Sequence, residues 1–259
     1  MQESFRFWLF AIFLAGASES LKIFLPYFLL RLLLYLGLLQ LMKRTRFFFR
    51  QVPSALRYTK KETVVVTGAS SGIGVEVAKQ LSERGGKVIW AARSTQAAQT
   101  HLDEIRWTDS TGPRGYVLGV DLADLANVRS FAEDLKKNER RLDCLILNAG
   151  YLGPRTLTKD GFETTLGVNH LGHMYLTYQL IDLIKQSAPA KIIVVSSDLH
   201  KMCGEVRFQD LMFEEPNSYT MGGWTAYNHS KLCNVLFARE LAKRLRDTGV
   251  TVHAVHPGT

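Results

Sequence analysis

A chain of 259 residues, 46% hydrophobic and 22% charged, has the length and composition of one large α/β domain, which excludes intrinsic disorder as its organising state. The formal net charge of +8 is unevenly placed: residues 1–61 carry ten Lys/Arg against Glu3 and Glu19, whereas residues 62–259 carry 22 of each sign. The basic excess belongs to the N-terminal region, and nucleic-acid binding by the remainder loses its electrostatic basis.

The first element is Ile23 to Met42, a 20-residue leucine-rich stretch. About 20 apolar residues are what a helix needs to cross a bilayer core. Pro26, Arg31 and Gln40 interrupt it. A charge near the middle costs roughly 2.5–3.5 kcal/mol on insertion scales, which snorkelling, tilt or a hairpin within one leaflet would accommodate. Lys43, Arg44, Arg46 and Arg50 follow the stretch and only Arg6 and Lys22 precede it, so the positive-inside bias places the C-terminal part in the cytosol. Residues 1–42 are thus read as a membrane anchor region, 43–61 as a basic linker and 62–259 as the folded domain. A competing reading takes Phe7 to Leu14 as the core of a signal peptide, with Ala15-Gly16-Ala17 as its cleavage site.

From residue 62 onward, short β-rich apolar runs alternate with helix-like segments, the pattern of a parallel sheet covered on both faces. Six strands are predicted: Thr63–Thr67, Lys87–Ala91, Gly115–Gly119, Leu142–Asn148, Lys191–Ser196 and Thr251–Val255. Helices are predicted near 73–84, 95–107, 125–137, 163–187 and 226–247. Cys144, Cys203 and Cys233 have no metal-ligand spacing and cannot all pair within one chain, so a reducing compartment is expected and no metal site.

Thr67-Gly68-Ala69-Ser70-Ser71-Gly72-Ile73-Gly74 joins the first strand to an amphipathic helix start. Glycines at such a junction allow a tight turn and let a pyrophosphate approach backbone N–H groups at a helix N-terminus. A site for NAD(H) would carry Asp or Glu at the end of the second strand, to hold the ribose 2′-hydroxyl. This chain has Arg93 there, which can pair with a 2′-phosphate, so NADP(H) is expected in preference to NAD(H).

Further motifs follow in order: Asp121-Leu122, Asn148-Ala149-Gly150, Val168-Asn169-His170, Ser196-Ser197, Tyr227-Asn228-His229-Ser230-Lys231 and His256-Pro257-Gly258. With the glycine turn, these make residues 62–259 resemble the short-chain dehydrogenase/reductase family. Gly161-Phe162-Glu163-Thr164, Val168-Asn169-His170-Leu171-Gly172-His173 and Ser230 to Phe237 are similar to its retinol dehydrogenase branch, and the oxidoreductase domain of a WW-domain-containing relative reads similarly. The resemblance implies a Rossmann-type doubly wound sheet and an oxidoreductase interconverting an apolar, retinoid-like alcohol and its aldehyde or ketone. It implies that Asn169, Ser197, Tyr227 and Lys231 are catalytic. Asn169 would hold a water that links Lys231 to solvent, Ser197 would bind the substrate oxygen and Ser196 would support it. Gly68, Ser70, Ser71, Gly72, Ile73, Gly74, Arg93, Asp121, Leu122, Asn148, Ala149, Gly150, Pro257 and Gly258 would hold the cofactor, together with Tyr227 and Lys231. The membrane implied is the endoplasmic reticulum's, with the domain in the cytosol; a homodimer stays open.

The Tyr–Lys pair also makes chemical sense by itself. Carbonyl reduction needs a proton for the developing alkoxide, and a phenol can supply it, although its ordinary pKa of about 10 is high. Lys231 follows Tyr227 by four positions, one helical turn on the same face, where its ammonium would favour the phenolate. His170 and His173 are expected to be core histidines, and the sequon Asn228-His229-Ser230 a chance match. The long segment from Asp198 to Ala226 carries Met202, Phe208, Met212, Phe213, Met221 and Trp224, which read as either substrate-facing or loop packing. The sequence stops at Thr259, where family members continue. The expectation is a domain lacking its last strand and substrate lobe: a fragment, a truncated isoform, or a catalytically impaired chain acting as a membrane-tethered binding or scaffold protein.

Overall fold

The computed structural model describes residues 62–105 and 115–258. The anchor region, the basic linker and the signal-peptide reading lie outside these residues, as does the predicted helix end at 107. No helix among the described residues is long and apolar enough to cross a membrane.

Six parallel strands form one sheet in the order β3-β2-β1-β4-β5-β6. They are β1 (Thr63–Thr67), β2 (Lys87–Ala92), β3 (Tyr116–Gly119), β4 (Cys144–Leu147), β5 (Ala190–Val195) and β6 (Val250–Val255). Each matches a predicted strand to within a few residues at its ends, where assignments are least sharp. β1 reads Thr-Val-Val-Val-Thr and is buried along its whole length. A central parallel strand is covered on both faces, so it needs apolar side chains on both. Val64 and Val66 join Trp90, Ala78 and Ala98 on one side of the sheet. Val65 joins Ile89, Phe131, Leu145, Leu176 and Leu180 on the other.

The first of these cores lies under α1 (Gly72–Glu83) and α2 (Thr95–Asp103), and the second under α3 (Leu125–Asn138), α5 (Gly172–Gln186) and α6 (Trp224–Arg244). Where the predicted 163–187 helix begins, the structure has a short α4 (Thr164–Leu166) and then a π-helical segment, Gly167–Leu171, that runs into α5. Glu163, fully buried, starts α4 by accepting hydrogen bonds from the N–H groups of Thr165 and Leu166 at 2.7 and 2.8 Å. The chain leaves β1 toward β2 on one side and returns as β4 on the other. That reversal opens a crevice at the carboxyl ends of the strands, the place where open α/β sheets bind ligands.

Candidate active site

The crevice is built first by glycines. Gly68 adopts φ +71°, and a Cβ on it would lie 2.9 Å from the Ala149 Cα, so only glycine fits. A Cβ on Gly74 would collide with the Gly68 carbonyl, which lets α1 start tight against the turn. Gly72 has open space, with nothing within 4 Å of where its Cβ would stand. Ser71 makes no capping hydrogen bond and the first turn of α1 holds no carboxylate. The positive end of this helix is therefore left without local compensation, and a phosphate suits it.

A cleft of about 700 Å³ follows. Gly68, Ser70, Ser71 and Ile73 line it from the turn, Arg93 and Ser94 from the end of β2, Asp121 and Leu122 from the end of β3, and Asn148, Ala149 and Gly150 from the end of β4. Among the described residues its only carboxylate is Asp121, whose Oδ1 accepts from the Ala123 N–H at 3.0 Å. Thr67 and Asn148 tie the floor together. The Asn148 side chain donates to the Thr67 carbonyl at 2.9 Å, and the Thr67 hydroxyl accepts from the N–H groups of Asn148 and Ala149 at 2.9 and 3.1 Å. Thr156, Leu157, Thr158 and Lys159 extend the lining and were missed by sequence reasoning, because their loop carries no pattern, while Thr164, the end of the Gly161–Thr164 motif, was not expected to line the cleft. Gly72 and Gly74 shape the turn without lining the cleft. Pro257 and Gly258 follow β6, where the preceding His256 accepts from the Asp198 N–H at 3.3 Å, and also lie off the cleft wall.

Asn169, Ser197, Tyr227 and Lys231 come together at the Gly150 end. A Cβ on Gly150 would stand 3.7 Å from Asn169 Oδ1 and 3.9 Å from Lys231 Nζ. Asn169 occupies the π-helical segment; its Nδ2 donates to the Tyr151 carbonyl and the Ser230 hydroxyl, both at 3.0 Å, and its Oδ1 accepts from the Tyr151 N–H at 2.6 Å. Its side chain thus ties α6 to the loop after β4. Tyr227 and Lys231 sit in the first turns of α6, and Ser197 hydrogen-bonds the Tyr227 phenol. Ser196 holds the helix from behind, donating to the Lys231 carbonyl at 2.8 Å. Ser230 is fully buried within α6.

The electrostatics differ from the sequence expectation in one respect. Burial raises the Tyr227 phenol above its ordinary value, with the Ser197 hydrogen bond opposing. The Lys231 Nζ donates to the Val195 carbonyl at 3.0 Å and stands over the Tyr227 ring, 5.4 Å from its centre. Burial also pushes Lys231 down to about 8. Among the bulky residues of the segment from Asp198 to Ala226, Phe213 is buried against Tyr219 and His229, whereas Met202 and Phe208 are exposed. Trp224 meets Tyr227 edge-on at 6.0 Å.

A short chain dehydrogenase family profile matches residues 62–207. Retinol dehydrogenase 12 of Homo sapiens is 48% identical over 198 residues, covering 76% of this chain and 61% of the relative. Retinol dehydrogenase 14 of Mus musculus is 45% identical over 207 residues, with 76% and 60% covered. The chain thus spans about three fifths of the length of the curated relatives it matches. A solved uncharacterised protein from Mycobacterium paratuberculosis is 36% identical at a TM-score of 0.65, over 76% of this chain and 68% of that one. The NADP complex of RhlG from Pseudomonas aeruginosa is 26% identical at a TM-score of 0.61, over 76% and 72%.

Proposed function

The chain belongs to the short-chain dehydrogenase family, and from that premise we propose that it is an NADP(H)-dependent oxidoreductase, held on a membrane, that interconverts an apolar alcohol and its aldehyde or ketone, with a retinoid favoured. The observation that carries the reading is the meeting of Ser197, Tyr227, Lys231 and Asn169 at one end of a glycine-floored cleft. The names of the similar retinol dehydrogenases support the substrate class. Arg93, lining the same cleft as Ser70, Ser71 and Ser94, with Asp121 its one carboxylate among the described residues, supports the 2′-phosphate.

The open space at Gly72 and the uncompensated start of α1 fit a pyrophosphate, and Asp121 and Asn148 border the place for adenosine. When bound, NADPH supplies the hydride. Ser197 would orient the substrate oxygen by hydrogen bonding, and Tyr227 would pass its phenolic proton to that oxygen as the carbonyl carbon is reduced. Lys231 then stabilises the phenolate by turning its ammonium from the Val195 carbonyl toward the phenol.

Tyr227→Phe tests the assignment because it keeps the ring and deletes the proton. Turnover of retinal with NADPH is expected to fall by roughly 10²–10⁴-fold, with NADPH affinity nearly unchanged. A folded variant that keeps near-normal turnover would refute the mechanism. In fluorescence titrations the unmodified chain is expected to bind NADPH more tightly than NADH, and Arg93→Asp to reverse the order. Equal affinities in the unmodified chain would remove the argument from Arg93.

A further inference from the structure

His173, one turn beyond Asn169 in α5, is 2% exposed and hydrogen-bonded at both ring nitrogens. Nδ1 lies 3.1 Å from the Asn169 carbonyl and Nε2 lies 2.9 Å from the Thr67 hydroxyl. A carbonyl can only accept, so Nδ1 carries a proton. Burial pushes the ring down to about 3, and Lys231 and His170 nearby further oppose a positive charge there. The ring is therefore neutral and Nε2 is bare.

A bare nitrogen also can only accept. The Thr67 hydroxyl proton must then point at His173 in preference to the more distant Ile146 carbonyl, at 3.3 Å. Its oxygen is left to accept the N–H groups of Asn148 and Ala149, as the distances show. The result is a chain of hydrogen bonds with every proton pointing the same way. It runs from the cleft floor through Thr67 and His173 to the backbone carbonyl of Asn169. A leucine would fill this space without the cost of desolvating an imidazole, so packing does not account for the histidine.

We propose that His173 is a positioning residue, which fixes the cleft floor at Asn148–Ala149 relative to the π-helical segment that carries Asn169. This rests on reading the cleft as the cofactor site and Asn169 as part of the catalytic group. The function it serves is alignment: the floor sets where the cofactor lies, and the π-helical segment sets where Asn169 stands beside Gly150.

The first test reads the tautomer in the unmodified full chain in detergent, by long-range ¹H–¹⁵N correlation of the imidazole. A neutral ring with Nδ1 protonated from about pH 5 to about pH 8 is expected. An Nε2-protonated ring, or one that titrates near 6.5, overturns the proposal, and this result stands even if a variant does not fold. In the second test, His173→Leu is expected to speed amide exchange at Asn148 and Ala149 selectively, leaving Val64 to Val66 unchanged, and to weaken NADPH binding about tenfold. His173→Asn keeps a donor for the Asn169 carbonyl and should lose less. Thr67→Val, which also removes the acceptor of the Asn148 and Ala149 N–H groups, should lose at least as much as His173→Leu, and the double variant no more than the worse single one. Exchange that rises equally throughout the sheet would mean a general packing role and overturn the proposal. Failure of the unmodified chain to bind NADPH would remove the cofactor reading, while the tautomer and exchange results would still decide the role of His173.

Discussion

Lys231 carries opposing demands in a single side chain. It must be buried to reach the end of the cleft, and burial lowers its affinity for a proton to a pKa of about 8. On the proposed mechanism it must be charged to steady a phenolate. In the carbonyl-reducing direction, kcat/KM should therefore fall as pH rises through about 8, where the ammonium is lost. Lys231→Arg stays charged across this range, so the limb should vanish although turnover drops, since a guanidinium does not reproduce the reach of an ammonium. A limb unmoved in Lys231→Arg would assign the titration to another group. The same shift has a consequence for stability. Between about 8 and 10.5 the unfolded lysine holds a proton that the folded one has released, so stability from this group rises with pH over that window.

At the scale of elements, the site depends on how closely α1 can approach the strand that feeds it. The missing Cβ of Gly74 is what lets the helix begin against the Gly68 carbonyl, a backbone atom that cannot rotate away. Gly74→Ala should push α1 from the turn. A core-strain cost of about 1–3 kcal/mol should appear as a lower melting temperature, with NADPH affinity falling further than stability alone explains. An alanine variant with unchanged melting and binding would show that the turn has slack. The strands and this turn were legible in the sequence for a simple reason: strands buried on both faces must be unbroken apolar runs, and β1 is Thr-Val-Val-Val-Thr. The π-helical segment was not legible, because Gly167–Leu171 keeps the apolar spacing of an ordinary helix, and its extra residue per turn is set by the bonds of Asn169 to Tyr151 and Ser230. Nor could spacing tell that Lys231 turns to the Val195 carbonyl, since that acceptor lies on a strand 36 residues earlier.

For the whole molecule, charge and apolarity are partitioned along the chain. Residues 62–259 are balanced at 22 charges of each sign, while residues 1–61 hold the entire excess and the leucine-rich run from Ile23 to Met42. Residues 62–259 have no net charge to draw them to an anionic surface, so the proposed membrane attachment would rest on the N-terminal region. The run is long enough to span a bilayer core, and the cations clustered after it favour the cytosolic side. Residues 1–50 fused to a fluorescent reporter should therefore be sufficient to hold it on microsomes through a carbonate wash, and protease added outside sealed microsomes should degrade it. Arg31→Leu should leave the orientation unchanged and improve insertion, by relieving a penalty of roughly 2.5–3.5 kcal/mol. Protection of the reporter would mean that the C-terminal side is translocated, and it would favour the alternative in which Phe7 to Leu14 acts as a signal sequence. Release by carbonate would instead show that neither stretch is inserted and that the basic cluster holds the chain only by its attraction to anionic headgroups.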